Sequence, residues 1–199
     1  MHVLFLCSGN VCRSPIAERL TRAFAVEHGR TDLTAESAGV RALVGFPIEP
    51  FAADVIEGLG ASASLFKARR LRPDMIEHAD LVLGMTERIR DHAADLVPDA
   101  AHRVFTLREA SSLAARADAT TVAGLAGARG RYSIDHEDIA DPVGLKSEAV
   151  ARVGDRIADA LLPLLHALAQ SEPLHTPVVE PRLTRSFVSG GCYASAGNR

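Results

Sequence analysis

Short apolar runs alternate along this chain with longer segments in which apolar residues recur every three or four positions. The first pattern is typical of buried β-strands and the second of amphipathic helices. Four strands are predicted, at residues 2–6, 33–37, 81–84 and 103–106, and helices at 15–28, 50–59, 73–78, 87–96 and 148–169. The alternation predicts an α/β fold, a single-domain three-layer sandwich around a four-stranded parallel sheet. A sheet of this kind binds its ligand beyond the carboxyl ends of its strands, here at the end of the first strand.

Two stretches interrupt this alternation. Residues 107–130 are rich in Ala, Gly and Ser, which predicts a helix followed by a mobile loop. This segment could shape one side of the cleft, but a solvated insertion is the simpler interpretation. From Ser171 onward, prolines, polar residues and a Ser-Gly-Gly run are typical of a flexible tail. The predicted organisation is therefore one domain over residues 1–170 and a C-terminal tail over 171–199. A chain of 199 residues is long enough for one adequate core.

The most informative motif follows the first predicted strand, where the chain reads CSGNVCRSP over residues 7–15. A tight glycine-containing loop between a strand and a helix points its backbone N–H groups at one spot, and the helix N-terminus adds partial positive charge there. Ser14 is predicted as the N-cap of the helix and Pro15 as its first residue. Such a loop binds an anion, and phosphate fits it best. The predicted binding residues of this cradle loop (residues 7–14) are Ser8, Gly9, Asn10, Val11, Cys12 and Ser14.

The cradle loop begins with a cysteine and carries an arginine six residues later, which indicates phosphate chemistry and not binding alone. The N–H dipoles and the Arg13 guanidinium favour the thiolate form of Cys7, which is the nucleophilic form. The planar fork of Arg13 can hold two phosphate oxygens. Ser14 could donate a hydrogen bond to the sulfur and stabilise it as a leaving group. A buried cysteine beside an ordinary turn would explain a lone cysteine, but it does not explain this combination.

This motif resembles the signature of the low-molecular-weight protein tyrosine phosphatases: a cysteine, five residues, then arginine-serine, near the N-terminus. The likeness extends along about the first 170 residues, and further segments resemble the family's motifs in the correct order. These segments are ESAG at 36–39, FKARRL at 66–71, ADLVLGM at 79–85 and IADP at 139–142. The resemblance implies a flavodoxin-like fold and hydrolysis of phosphotyrosine or another aryl phosphate monoester through a cysteinyl-phosphate intermediate. It implies Cys7 as nucleophile, Arg13 as phosphate clamp and Ser37 as a support for the loop asparagine, with no cofactor.

The same resemblance implies that Asp141, in the late Asp-Pro motif, is the general acid and base. One carboxyl group can protonate the leaving oxygen and later activate water. The neighbouring carboxylates at 135, 137 and 138 are typical of an acidic surface loop. Only Asp141 precedes a proline, which would present its side chain reproducibly. Asp138 is the alternative acid.

The chain also departs from the family. Val143-Gly144 follow the Asp-Pro pair where the family usually has aromatic residues, Phe66 replaces the histidine of its HKAR stretch, and there is no tryptophan. We expect residues 40–47 to form one wall of the site, with Leu43 or Phe46 gripping a substrate ring. For Phe66 we favour a place in the core.

Cys12 has two interpretations. It is either a small loop side chain or a resolving thiol that forms a disulfide with oxidised Cys7 and so prevents irreversible oxidation. The family contains members with this pair at the same spacing.

Composition narrows the expected partners. A net charge of −3 without a basic stripe argues against nucleic acid. Three cysteines, two of them in one loop, do not form a secreted disulfide framework, so a reducing cytoplasm is expected. The apolar stretch near 160–165 is too short to cross a membrane. No leader is expected before the first strand. No spacing of histidines or cysteines indicates a metal site. The expected partners are a phosphorylated protein or a small aryl phosphate, with phosphate-like or sulfate-like anions in the loop.

Two other functions are weighed against the phosphatase. An arsenate reductase that borrows a small-molecule thiol would need only Cys7, whereas an internal thiol relay would need cysteines between Cys12 and Cys192, and there are none. A non-catalytic phosphate-binding module would need neither Cys7 nor Asp141. The combination of Cys7, Asp141 and Pro15 favours the phosphatase.

Overall fold

The structure, a computed structural model, describes residues 1–132, 134, 138–142 and 144–170. The predicted tail at 171–199 and the residues Val143, Asp135 and Glu137 lie outside the described residues. The elements follow in the order β1 (His2–Cys7), α1 (Arg13–Glu27), β2 (Thr34–Gly39), α2 (Pro50–Gly58), α3 (Pro73–His78), β3 (Leu81–Gly84), α4 (Glu87–Leu96), a 3₁₀ helix (Pro98–Arg103), β4 (Val104–Thr106), α5 (Leu107–Ala117), α6 (Val122–Ala128) and α7 (Ser147–Ala169).

The four strands form one parallel sheet in the order β2-β1-β3-β4. The predicted α/β class and the four-stranded parallel sheet are therefore confirmed. The central strand β1 pairs with β2 and β3 on its two sides, so that Leu4 lies between Glu36 and Val82. Cys7, the last residue of β1, consequently stands in the middle of the carboxyl edge of the sheet.

Alternate residues of β1 enter two separate cores. Val3 and Phe5 pack with apolar side chains of α1, α2, α5, α6 and α7 on one face of the sheet. Leu4 and Leu6 pack with side chains of α3 and α4 on the other face. All four side chains are fully buried, and each contributes about 1.5–3 kcal/mol to folding by leaving water. This burial on both faces explains why β1 reads as a continuous apolar run.

The interpretation of residues 107–130 is corrected in part. The first half is a helix, as predicted, but the second half contains the helix α6 and not a mobile loop. Threonines decide this arrangement: Thr106 forms a capping box with Glu109, and the Thr121 side chain accepts a hydrogen bond from the Gly124 N–H. Leu125 is fully buried in the core. These local caps and the two buried side chains of α6, Leu125 and Ala128, outweigh the low helix propensity of the glycines.

Within the part of the chain that the structure describes, no helix is both long and apolar enough to cross a bilayer.

Candidate active site

The cradle loop joins β1 to α1 and surrounds the Cys7 sulfur with hydrogen-bond donors. The Asn10 N–H donates to Cys7 Sγ at 3.2 Å, and Ser14 Oγ lies 2.9 Å from the same sulfur. Cys7, Asn10 and Ser14 are buried. Donors directed at a sulfur in this way stabilise a thiolate more than a thiol, because only the thiolate carries a full negative charge.

Ser14 is not the N-cap that the sequence predicts. Helix α1 begins at Arg13, its N-cap residue is Cys12, and no side chain caps it. The reason is that the Ser14 hydroxyl is occupied by Cys7 and by the Asn10 amide at 3.0 Å. The N–H groups of a first helical turn have no intrahelical partner, so an uncapped turn at this position leaves donors for an anion.

Asn10 holds the cradle loop against β2. Its backbone is left-handed with φ 55°, a conformation that asparagine tolerates. Its side chain donates to Ser37 Oγ at 2.9 Å and accepts from the Arg69 N–H at 2.8 Å. At the end of β2, a Cβ on Gly39 would lie 2.5 Å from the Ser8 carbonyl oxygen, so only glycine permits this close approach.

Glu18 belongs to this network, although sequence reasoning did not single it out as a site residue. Its buried carboxylate accepts a hydrogen bond of 2.5 Å from Ser37 Oγ and pairs with Arg22 at 3.0 Å. The side chain is only 4% exposed. A chain of contacts therefore leads from Glu18 through Ser37, Asn10 and Ser14 to the Cys7 sulfur. The available signal was a carboxylate among the mostly apolar positions of the inner face of α1.

Arg13 connects the cradle loop to the acid loop (residues 138–142). The Arg13 side chain is 4% exposed, and its Nη1 donates to the Ile139 carbonyl oxygen at 2.9 Å. Its Nη2 donates to the Asp141 carboxylate, which is 45% exposed. The acid loop is also attached to the end of β3. The Ile139 N–H donates to the carbonyl oxygen of Met85, the residue that follows this strand, at 2.9 Å.

The two candidate acids differ in position. Asp141 contacts Arg13 at the rim of the cradle loop. Asp138 instead accepts a hydrogen bond of 2.8 Å from the N–H of Glu87, the first residue of α4. The structure therefore brings Asp141 to the cradle loop, while Asp138 is engaged at a helix terminus.

Cys12 lies inside the cradle loop but in a different environment from Cys7. Burial, and after it the nearby Cys7 and Glu49, raise the pKa of the Cys12 thiol to about 12. Cys12 is therefore a neutral thiol at neutral pH, and it does not compete with Cys7 as a nucleophile. Both cysteines are free thiols.

The wall segment (residues 40–47) runs along the cradle loop and is bonded to it. The Arg41 N–H donates to the Ser8 carbonyl at 2.9 Å, and the Leu43 N–H donates to the Gly9 carbonyl at 3.0 Å. The side chains of Leu43 and Phe46 are 49% and 60% exposed, which leaves them available for contact with a ligand. Phe66 is buried in the core, with the Arg19 guanidinium 5.5 Å from its ring centre.

No group of three or more His, Cys, Asp or Glu side chains suited to a metal ion occurs among the residues that the structure describes.

Comparison with known sequences identifies the family to which the chain is similar. A model of the low molecular weight phosphotyrosine protein phosphatase family matches residues 2–124. The low molecular weight protein-tyrosine-phosphatase Ptp of Acinetobacter johnsonii is 31% identical over 106 residues, which are 53% of this chain and 71% of that protein. Wzb of Salmonella typhi, with the same description, is 37% identical over 103 residues, covering 52% of this chain and 66% of Wzb.

Solved structures of the same fold superimpose over most of the chain. A mutant of YwlE arginine phosphatase with a phosphorylated active-site serine aligns with a TM-score of 0.70 and 26% identity, covering 86% of this chain and 98% of YwlE. A low molecular weight protein tyrosine phosphatase from T. tengcongensis aligns with a TM-score of 0.67 and 29% identity, covering 83% of this chain and 98% of that one.

Proposed function

Because this chain belongs to the low molecular weight phosphotyrosine protein phosphatase family, we propose that it hydrolyses phosphotyrosine or another aryl phosphate monoester through a cysteinyl-phosphate intermediate. Its enzyme class is that of the phosphoric monoester hydrolases of the protein-tyrosine-phosphatase type. The observation that carries the proposal is the Cys7 sulfur beneath an uncapped helix N-terminus, with Arg13 and Asp141 in contact at the rim.

In the first step, the Cys7 thiolate attacks phosphorus, so that an S–P bond forms and the P–O bond to the leaving group breaks. Arg13 and the N–H groups of the cradle loop balance the charge on the equatorial oxygens. Asp141 gives its proton to the departing oxygen. The contact between Arg13 and Asp141 must open for this step, because the same guanidinium then holds the phosphate.

In the second step, water attacks the phosphocysteine. Asp141 takes a proton from the water, the S–P bond breaks and inorganic phosphate leaves. Ser14 Oγ, 2.9 Å from the sulfur, stabilises the thiolate as it departs. The phosphorylated serine in the YwlE mutant supports a covalent intermediate at this position.

The test is steady-state hydrolysis of p-nitrophenyl phosphate by the reduced protein without added metal. Turnover supports the proposal, and its absence overturns it.

We expect Asp141→Asn to slow the hydrolysis of alkyl or unsubstituted phenyl phosphates by about 10²–10⁴-fold, because a poor leaving group needs the proton. The loss for p-nitrophenyl phosphate will be smaller, since p-nitrophenolate leaves without protonation. The measurement is the dependence of kcat on the pKa of the leaving group. Asp138→Asn is the matched control, and a steeper dependence in that variant would transfer the acid role to Asp138.

Cys12 is proposed as the resolving thiol. Peroxide oxidises the Cys7 thiolate to a sulfenic acid, and the neutral Cys12 thiol condenses with it, forming the S–S bond and releasing water. Cys7 and Cys12 are buried in the same loop, and the nearness of Cys7 is, after burial, the next cause that raises the Cys12 pKa; both observations support this pairing.

We expect wild-type protein inactivated by hydrogen peroxide to recover most of its activity with dithiothreitol. Cys12→Ser should lose activity irreversibly under the same dose, because its sulfenic acid proceeds to the sulfinic form. Mass spectrometry of the cradle-loop peptide distinguishes the two products. Equal recovery of both proteins would show that Cys12 is only a packing side chain.

Phosphoarginine is the second candidate substrate. The likeness to YwlE arginine phosphatase favours it, as does the Val143-Gly144 sequence where aromatic residues would grip a phenyl ring. The ratio of kcat/KM for phosphotyrosyl and phosphoarginyl peptides decides between the two. Arsenate reduction is not favoured, since the relatives reported above are phosphatases.

The proposed partners are a phosphorylated protein or a small aryl phosphate, and phosphate-like anions in the cradle loop. The proposed location is the cytoplasm, where a nucleophilic thiol stays reduced.

A further inference from the structure

A cavity of about 260 Å³ lies between the wall segment and the start of α4. Its floor is apolar, formed by Val40 and the buried Ile89. Its rim carries three side chains that are, or can become, positively charged: Arg41, Arg88 and His92. Arg88 and His92 are four residues apart on α4 and therefore share one face of the helix.

The three basic side chains form no ion pair or side-chain hydrogen bond with any residue in the described ranges. The nearby carboxylates of α4 are already used: Glu87 and Asp91 both pair with Arg90. Asp95 lies about a turn beyond His92 and does not line the cavity. In a chain with a net charge of −3, this cavity is a local concentration of positive charge that the fold leaves uncompensated.

Both sides of the cavity are attached to the candidate active site. The Val40 N–H donates to the Cys7 carbonyl at 3.1 Å, and the N–H of the next residue, Arg41, donates to the Ser8 carbonyl. On the other side, the first residue of α4 donates to the Asp138 carboxylate in the acid loop. A group bound in the cavity therefore lies beside the cradle loop, within reach of a chain whose phosphate occupies that loop.

We propose that this cavity is a second anion subsite, which holds an aspartate or glutamate side chain of the substrate polypeptide beside the phosphorylated residue. The proposal rests on the proposed function, because it requires a phosphorylated protein as substrate. Two guanidinium groups can hold one carboxylate through several charge-assisted hydrogen bonds. The apolar floor accommodates the methylene groups of the same side chain. Small aryl phosphates have no group that reaches the subsite.

The test compares two phosphotyrosyl peptides that differ only in flanking glutamates or glutamines. We expect the acidic peptide to have a kcat/KM about fivefold higher, as partly exposed ion pairs allow. Arg88→Gln should reduce this ratio to about twofold, and the charge reversal Arg88→Glu should bring it below one. Arg88 is exposed, so neither change disturbs the core, and hydrolysis of p-nitrophenyl phosphate should be unchanged.

Arg116→Gln is the matched control, because it removes one exposed arginine in the last turn of α5. It should leave the peptide ratio at the wild-type value. A wild-type ratio of one, or a ratio that Arg88→Glu does not lower, overturns the subsite.

A binding measurement separates the failure of the subsite from the failure of the proposed function. Fluorescence anisotropy of both peptides with Cys7→Ser protein gives the ratio of their Kd values without turnover. An acidic preference that Arg88→Glu abolishes supports the subsite, even if no substrate is hydrolysed. Absence of p-nitrophenyl phosphate turnover overturns the proposed function alone.

Discussion

Cys7→Ser is expected to reduce kcat for p-nitrophenyl phosphate by a factor on the order of 10⁴ or more, because it removes the nucleophile. A serine hydroxyl in the same place stays protonated at neutral pH and attacks phosphorus poorly. The cradle loop keeps its N–H donors and Arg13 in this variant, so inorganic phosphate should still bind. The measurements are steady-state kinetics and calorimetric titration with phosphate.

Cys192→Ser, a thiol-to-hydroxyl change within 171–199, is the matched control and should retain wild-type kinetics. Substantial turnover by Cys7→Ser would mean that another group is the nucleophile. If the wild-type protein itself shows no turnover, thiol-coupled arsenate reduction and a binding role become the functions to test.

Arg13→Lys is expected to lower kcat/KM by about 10²–10³-fold, although the charge is conserved. The guanidinium reaches the Ile139 carbonyl with one nitrogen and the Asp141 carboxylate with another. A lysine ammonium cannot reproduce this planar fork, and it cannot hold two equatorial oxygens of a phosphoryl group. The variant should lose both the clamp and the anchor of the acid loop.

Two readouts distinguish these losses. Weaker inhibition by inorganic phosphate measures the clamp, and a changed dependence on the leaving-group pKa measures the position of Asp141. Arg129→Lys is the control, because Arg129 also bonds through several nitrogens, to Glu109 and the Val104 carbonyl, and packs on Phe105. A loss below about tenfold in Arg13→Lys would contradict a bidentate role.

Much of the fold could be predicted from local patterns. The bounds of β3, α3 and α4 are those expected from the sequence, and the other strands begin or end within a residue or two. These elements are bounded by prolines, caps and apolar runs that act over a few residues. The error at α6 has the same origin, since the alanines and glycines at 122–128 carry little signal. Their conformation depends on the Thr121 cap and on the burial of Leu125 and Ala128.

In the candidate site, too, the features formed by contiguous residues could be predicted, and those that depend on contacts between elements could not. The strand, the cradle loop and the helix start are contiguous, so the sequence by itself determined an anion-binding loop with a cysteine and an arginine at set positions. The role of Ser14 was different, because whether its hydroxyl caps a helix or faces a sulfur depends on how the loop curls. Glu18 was not singled out as a site residue because its partner Ser37 is on another element.

Only the tertiary structure decided which carboxylate meets Arg13. Asp138 and Asp141 differ by three positions in one acidic stretch, and 128 residues separate Arg13 from Asp141. A contact over that distance depends on how β3, α4 and the acid loop pack. The residue pattern around Arg13 contains no information about the position of the acid loop, and the pattern around Asp141 contains none about the cradle loop. The convergence of Arg41 and Arg88 on one cavity has the same cause: each follows the carboxyl end of a different strand, and the parallel sheet brings those ends together.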